Sequence, residues 1–489
     1  MLSLAGGTPS PVYFPFDNLK ADALVCDSFS TTARTQNKGA LSWLWDLFSN
    51  TQVSTTPISI PKYAENPNEI DLAVSLQYGL ARGIPQLQKF VQEFSRKVYK
   101  PPYDNFATLL HTGNTVGWMK AVTTFCNPGE GVLTSEWTYP SAIATMAPCG
   151  IRAVPVSMDG QGMSSNALRE VLAEPHPILR PHVMYCVPVG QNPTGATMQM
   201  QRKKEIYDIC VEFDIIIVED DPYYFLQEGP YILPYQRASA LKESEPGDEE
   251  YLRSLAPSFL AFDYQGRVVR LDTFSKTIAP GSRLGWFTCN PLFAERLERQ
   301  SETSTQAPCG FGQSLVTKLL LDWKFTGYLR WLKGLGVEYR RRRDFFIDCI
   351  VETFHIELAP PSQNMFHGSE MYLASAFIPS SVPDKCIKTH LFSFVPPTSG
   401  MFVWLKLHFD SHPKVGELGH KTLEMKLWVE LAEAGLLVGP GSMFSANPSG
   451  ASPSDPGHFR ISFSYAEFKD LRKAVEILDR VLKKFYRDL

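Results

Sequence analysis

The chain has 489 residues, 44% of them hydrophobic and 20% charged, with a formal net charge of −4 and a pI near 6.2. That length exceeds a single compact core and implies two domains, while the mild negative charge argues against a general binder of nucleic acid. No apolar run reaches the roughly 18 residues of a membrane-spanning helix, and no basic segment followed by a long apolar one opens the sequence, so neither a membrane anchor nor a signal peptide is expected. The nine cysteines are scattered, odd in number and never spaced C-x-x-C. They predict reduced thiols of a cytoplasmic protein, with no metal site and no disulfide frame.

In chain order, the first strong element is "IPQLQKFVQEFSRKV" (84–98), where Ile84, Leu87, Val91, Phe94 and Val98 recur at helical spacing. "HTGNTVGWMKAV" (111–122) places glycine and hydroxyl residues at a helix start, where free backbone N–H groups suit an anion. "GVLTS" (131–135) and "HVMYCVPV" (182–189) are strand-like, and "QRKKEIYDICVEF" (201–213) is an amphipathic helix. "DIIIVED" (214–220) is a continuous β-branched run, as in a strand covered on both faces. "RVVRLD" (267–272) and "GWFTC" (285–289) add strands. This alternation implies an α/β fold with a mainly parallel sheet between helices.

A long helix is expected over 327–354, with Gly334 and Gly336 as bending points and "RRRR" (340–343) as a solvated face. Beyond it, "SGMFVWLKL" (399–407) and "FRISFSY" (459–465) read as strands, and "LEMKLWVELAEAG" (423–435) and "LRKAVEILDRVLKKF" (471–485) as helices. Together these form a smaller α+β domain. The expected boundaries are 60–325 for the large domain, and 326–489 with an N-terminal arm 1–59 for the small one. Stretches 239–254 and 359–385 read as insertions or loops.

The chemistry centres on "RLDTFSKTIAPGSRLGWF" (270–287). Lys276 follows a strand among the hydroxyls of Thr273 and Ser275, and Arg283 lies beyond a Pro-Gly turn. A lysine amine can condense with an aldehyde, and a guanidinium beside hydroxyls suits a phosphate. Both are what pyridoxal 5′-phosphate (PLP) requires. The cofactor further needs an acid for its ring nitrogen, and Asp220 in "VEDDPYYF" ends a buried strand, where open α/β sheets place ligands. Asn192 in "GQNPTG" and Tyr223 are donors for the phenolic oxygen, and Tyr139 in "EWTYPSAI" offers a stacking ring. Arg460, inside a strand otherwise made of apolar and small residues, is suited to a substrate carboxylate or to a structural anion. Each feature also has an ordinary structural reading as a turn, cap or core residue. Their order along the chain is the specific signal.

That order, with "LAGGTPSPVYFPF", "LQYGLARGIPQL", "GQNPTG", "VEDDPYYFLQ", "GRVVRLDTFSKTIAPGSRLGW", "GMFVWLK", "GPGSMF" and "FRISFS", resembles fold-type I PLP-dependent aminotransferases. It is most similar to the group holding kynurenine/2-aminoadipate aminotransferase and the fungal aromatic aminotransferases. The resemblance implies a seven-stranded-type sheet in the large domain and a homodimer with shared active sites. Lys276 would join the cofactor aldehyde, Asp220 would face the pyridine nitrogen, and Asn192 and Tyr223 would reach the phenolic oxygen. Tyr139 would stack on the ring. Gly113, Asn114, Thr115, Thr273, Ser275 and Arg283 would surround the phosphate, with Tyr78 reaching the neighbouring subunit's cofactor. Arg460 and Asn192 would bind the α-carboxylate, and Gly7 would border the substrate. Relatives carry a further segment before "LAGG" that lies near the active site, so either the start is truncated or this chain lacks that wall of the pocket.

The implied reaction passes an amino group from an aromatic amino acid, kynurenine, 2-aminoadipate or a lysine-type donor to a 2-oxo acid such as 2-oxoglutarate. Lys276 would serve as the base at Cα. A PLP-dependent lyase on the same scaffold, or an enzyme of specialised metabolism, would share every cofactor contact. A nucleotide-binding enzyme is disfavoured, because no G-x-x-x-x-G-K-[ST] occurs.

Overall fold

The structure is a computed structural model that describes residues 7–32, 54–66, 68–174, 179–237, 246–359, 366–379, 386–447 and 456–487. In chain order the strands are β1 (Asn18–Leu24), β2 (Thr55–Pro61), β3 (Ala107–His111), β4 (Glu130–Ser135), β5 (Arg152–Val156), β6 (Met158–Asp159), β7 (Gly162–Met163), β8 (Leu179–Cys186) and β9 (Ile216–Asp220). They continue with β10 (Val268–Thr273), β11 (Gly285–Cys289), β12 (His355–Ala359), β13 (Met371–Pro379), β14 (Cys386–Phe394), β15 (Phe402–Leu407), β16 (Gly439–Pro440) and β17 (His458–Ser462).

The chain divides into two compact units. The first holds Met1–Cys126, Ile216–Phe225 and Leu241–Val337, and the second holds Asn127–Ile215, Leu226–Ala240 and Glu338–Leu489. In the first unit the strand order is β3-β11-β10-β9, and in the second β8-β4-β5. β9 and β10 are parallel, as are β4 with β5 and β4 with β8, whereas β11 runs antiparallel to both β10 and β3.

In the first unit every residue of β10 and β11 is buried, as in strands covered on both faces, the charged Arg270 and Asp272 of β10 included. Helix Pro85–Tyr99 starts with proline at its first position and ends on left-handed Lys100 (φ 50°). It buries Leu87, Val91, Phe94 and Val98, the stripe the spacing predicted. The helix Gly310–Thr353 is interrupted at Lys324 (φ 58°, ψ −177°) and passes helically through Gly334 and Gly336. The expected bend therefore lies elsewhere. Gly334 instead admits close packing, since a Cβ there would lie 2.7 Å from Phe29 Cβ.

In the second unit, β12-β13-β14-β15-β17-β16 form an antiparallel sheet. Helices Val415–Glu433 and Phe468–Arg487 pack Leu423, Leu427, Leu478 and Leu482 into a core with Phe392, Leu405 and Phe459. Two expectations fail in this unit. The "RRRR" run is only in part a solvated face: Arg341 is exposed, but Arg343 is fully buried and donates to the carbonyls of Gly229 and Pro397, while Arg342 donates to those of Phe463 and Ala466. Carbonyls that end strands and turns need donors, and a guanidinium supplies several. The stretch 359–385 is not a plain loop, since β13 within it pairs with both β12 and β14. In the first unit, 248–254 of the other supposed loop is helical. Residues 239–245, 360–365 and 380–385 lie outside the described residues.

Candidate active site

The first unit builds a cradle at the ends of β3, β9 and β10. After β3 the chain turns through Gly113 (φ 92°), and helix Asn114–Phe125 begins. A Cβ at Gly113 would lie 3.0 Å from Arg283 Cζ, so the bare turn and the guanidinium lie against each other. Arg283, itself left-handed (φ 48°), donates to Thr112 O at 3.1 Å, to Pro280 O at 2.6 Å and, at 3.4 Å, to Ser275 Oγ. Thr273 Oγ1 donates to Ser275 Oγ at 2.9 Å and accepts from Ser275 N at 3.1 Å. Lys276 follows in the same turn. That turn is held by Trp331 Nε1 donating to Thr277 O at 2.7 Å, and by a 3.0 Å bond between Thr277 Oγ1 and Tyr328 OH.

Asp220 ends β9 and is 5% exposed. It accepts from Asn114 Nδ2 at 2.6 Å, and the same nitrogen donates to Leu271 O at 3.1 Å. The side-chain amide of Asn114 is thus engaged with the acid and a strand carbonyl, which leaves its backbone N–H as the group facing a phosphate site. Tyr223, just beyond, is buried. Thr115 is exposed in the first helical turn, Tyr78 is 69% exposed, and Gly7 lies exposed outside any helix or strand with nothing within 4 Å of a Cβ placed there.

Beneath the cradle lies a cluster that sequence reading did not single out. Arg270 is fully buried between the rings of Tyr99 (3.9 Å) and Tyr224 (4.7 Å). It meets Glu219 at 3.2 Å, Asp221 at 3.0 Å and Asp272 at 3.0 Å, and Tyr99 OH donates to Asp272 at 2.7 Å. Burial raises the Asp272 pKa, with Arg270 opposing it. The signal was available: "VEDD" and "RLD" set charges into strands that are otherwise apolar. His111, buried next to the Gly113 turn, is driven by burial to a pKa of about 3 and stays neutral.

In the second unit Arg460, on β17, donates from Nη1 to Asn192 Oδ1 at 2.7 Å. Its guanidinium lies over Phe402 (4.5 Å) and Phe444 (4.7 Å). Asn192 is 6% exposed and follows Gly190, whose backbone touches Gly400: a Cβ at Gly190 (φ 55°) would lie 2.6 Å from Gly400 Cα. Gln191, also missed, donates to Trp137 O at 2.9 Å. Tyr139 is half-buried just before helix Pro140–Met146. Trp404 stacks on His458 with centroids 4.9 Å apart.

The first-unit residues fit PLP. A glycine turn that no Cβ would enter, the start of a 12-residue helix, two hydroxyls and an arginine make a phosphate cradle. A lysine on the same turn can take the aldehyde. Asn114 Oδ1, moreover, is a buried acceptor that no protein group bonds. Among the described residues no cluster could hold a metal ion, and no helix is long and apolar enough to cross a membrane.

Comparison with known proteins agrees. Residues 57–376 match the family model for aminotransferase class I and II, a PLP-dependent family. An aromatic amino acid aminotransferase of Schizosaccharomyces pombe is 32% identical across 100% of this chain and 92% of its own length. An L-tyrosine:2-oxoglutarate aminotransferase of Serpula lacrymans is 34% identical over 81% of this chain and 71% of its own. The crystal structure of aminotransferase Aro8 from Candida albicans superposes with a TM-score of 0.81 at 33% identity, covering 99% of this chain and 92% of that one. A cradle built for an anion around a lysine, matched to that family from β2 into β13, makes this chain a member of aminotransferase class I and II, with the fold-type I architecture and a transaminase activity.

Proposed function

We propose that this transaminase moves the amino group of an aromatic amino acid, or of kynurenine, 2-aminoadipate or a lysine-type donor, to a 2-oxo acid such as 2-oxoglutarate, with PLP on the first unit. The observation that carries the reading is the joining of Gly113, Ser275 and Arg283 around the turn of Lys276, with Asp220 fastened to the start of the same helix. The curated relatives named for aromatic amino acids and for L-tyrosine with 2-oxoglutarate support the substrate class.

When bound, PLP supplies an electron sink for the bond broken at the substrate's Cα. Arg283, Ser275, Thr273 and the helix N-terminus at Gly113, Asn114 and Thr115 bind its phosphate. Asp220 would hold a proton at the ring nitrogen, and Tyr223 and Asn192 would be the donors to the phenolic oxygen. Tyr139 offers a ring face. Lys276 Nζ would hold the aldehyde, and as a free amine it would carry the proton to and from the substrate's Cα. Arg460, oriented by Asn192, binds the α-carboxylate, and Gly7 borders the substrate.

A homodimer belongs to this reading: Tyr78 at 69%, Leu80 at 66% and Val74 at 64% exposure leave an apolar run for a second copy of the chain, with Tyr78 serving the partner's phosphate site. Nine free cysteines support a cytoplasmic setting.

The test is transfer from L-tyrosine to 2-oxoglutarate by PLP-loaded enzyme. Lys276→Ala should bring turnover to background. Arg460→Ala should raise KM for the amino acid by about two orders of magnitude, as loss of a charge-assisted pair with a carboxylate does. Near-normal turnover in Lys276→Ala would sink the assignment, and activity confined to aliphatic donors would sink the substrate class.

A further inference from the structure

The amide of Asn114 straddles two strands. Its Nδ2 donates to the carboxylate of Asp220 at 2.6 Å and to the carbonyl of Leu271 at 3.1 Å, and Leu271 is the residue of β10 directly paired with Asp220 of β9. Both contacts are acceptors, so the nitrogen must face them; turning the amide over would set oxygen against oxygen twice. The two amide hydrogens are thereby used, and the side chain has none left for a phosphate. The phosphate is left to the backbone N–H groups of the helix start, which Gly113 brings into the open by taking φ 92°.

We propose that Asn114 is a positioning residue for Asp220: it fixes the carboxylate across the β9–β10 pair and keeps it ionised toward the cofactor's ring nitrogen. The inference rests on the reading of Asp220 as that nitrogen's partner. A donor to an ionised carboxylate stabilises the charged form and lowers its pKa. Remove the donor, and the carboxylate becomes more basic and takes the proton from the ring. A ring with less positive charge withdraws less electron density, so the nitrogen joining the cofactor to Lys276 becomes more basic.

The effect is readable without turnover. The visible absorbance of the PLP-loaded enzyme is titrated against pH for wild type, Asn114→Ala, Asn114→Ser and Asp220→Asn, and the PLP dissociation constant is measured for each. In both Asn114 variants the midpoint should rise by about one pH unit, in the same direction as in Asp220→Asn, while PLP affinity stays within about threefold. A purely structural helix-start role would leave the midpoint in place. Asn114→Ser keeps a small polar residue at the helix start and gives the reading if Asn114→Ala folds poorly. An unmoved midpoint with PLP affinity down tenfold or more would make Asn114 a phosphate ligand and overturn the proposal. If Asp220→Asn also leaves the midpoint unmoved, the assignment of Asp220 itself has failed. If Asp220→Asn moves it and the Asn114 variants do not, only the role of Asn114 falls.

Discussion

Replacing Arg270 with methionine removes the guanidinium that three buried carboxylates share. The Arg270, Glu219 and Asp221 side chains are 0% exposed and that of Asp272 is 5%. Stripping one partner from a buried ion pair costs about 3–5 kcal/mol, and loss of the contacts to Tyr99 and Tyr224 adds about 1–2 kcal/mol. Methionine refills part of the volume, so a net loss of about 3–5 kcal/mol is expected at neutral pH. The deficit should depend on pH. Without Arg270, Asp272 loses the charge that opposes its upward shift, and its folded-state value rises further above the unfolded one near 4. Groups shifted upward contribute stability that is present below the unfolded pKa and lost as pH rises through the folded one. Asp272, already raised by burial with Arg270 opposing, is such a group. Urea unfolding of wild type and Arg270→Met at about pH 5 and about pH 8 measures this. The gap should be small at the lower pH and full at the higher. A gap below about 1 kcal/mol at pH 8, or one equal at both pH values, refutes the claim that Arg270 neutralises the cluster.

Lys120 is 2% exposed and donates to Ser301 Oγ at 2.8 Å, and burial lowers its pKa to about 8. A group depressed in the folded state contributes fully above its unfolded value and loses that contribution as pH falls through the folded pKa. Lys120→Met is therefore expected to gain about 1–3 kcal/mol at pH 7, with the gain vanishing toward pH 10; lower stability at both pH values in urea titrations would contradict it. Glu424 is 3% exposed and accepts from the N–H groups of Ser442 (3.0 Å), Gly457 (3.2 Å) and His458 (3.2 Å), at the head of the strand bearing Arg460. Glu424→Ala should destabilise by about 2–5 kcal/mol and raise KM for the amino acid more than it lowers kcat. An unchanged KM in soluble, folded variant would separate that carboxylate from the placement of Arg460.

Local chemistry made much of the site legible. Lys276, Asp220, Asn192, Arg283 and Arg460 each follow a strand, end one or sit inside one, in stretches whose apolar runs announce the strand itself. Period and composition likewise located the helices at 85–99, 200–212 and 468–487. Three readings could not be made that way. The burial of Arg343 depends on carbonyls far along the chain that need a donor. The interruption at Lys324 has no glycine to announce it, while Gly334 stays helical and serves a close approach to Phe29. The partner of Asn114 is a carboxylate 106 positions later.

The sequence by itself determined which groups are present and which elements carry them, because hydrophobic period, turn residues and charges inside apolar runs act over a few neighbouring positions. It pointed to the lysine, the acid, the glycine turn at a helix start and the arginine on which the proposed site rests. Only the tertiary structure decided how those groups are spent: that the asparagine serves the acid, that Arg270 holds three carboxylates, and that an arginine run caps buried carbonyls. Those outcomes depend on which strands lie side by side and on the need of every buried charge and polar atom for a partner, and residues far apart in the chain meet those needs only once it is folded.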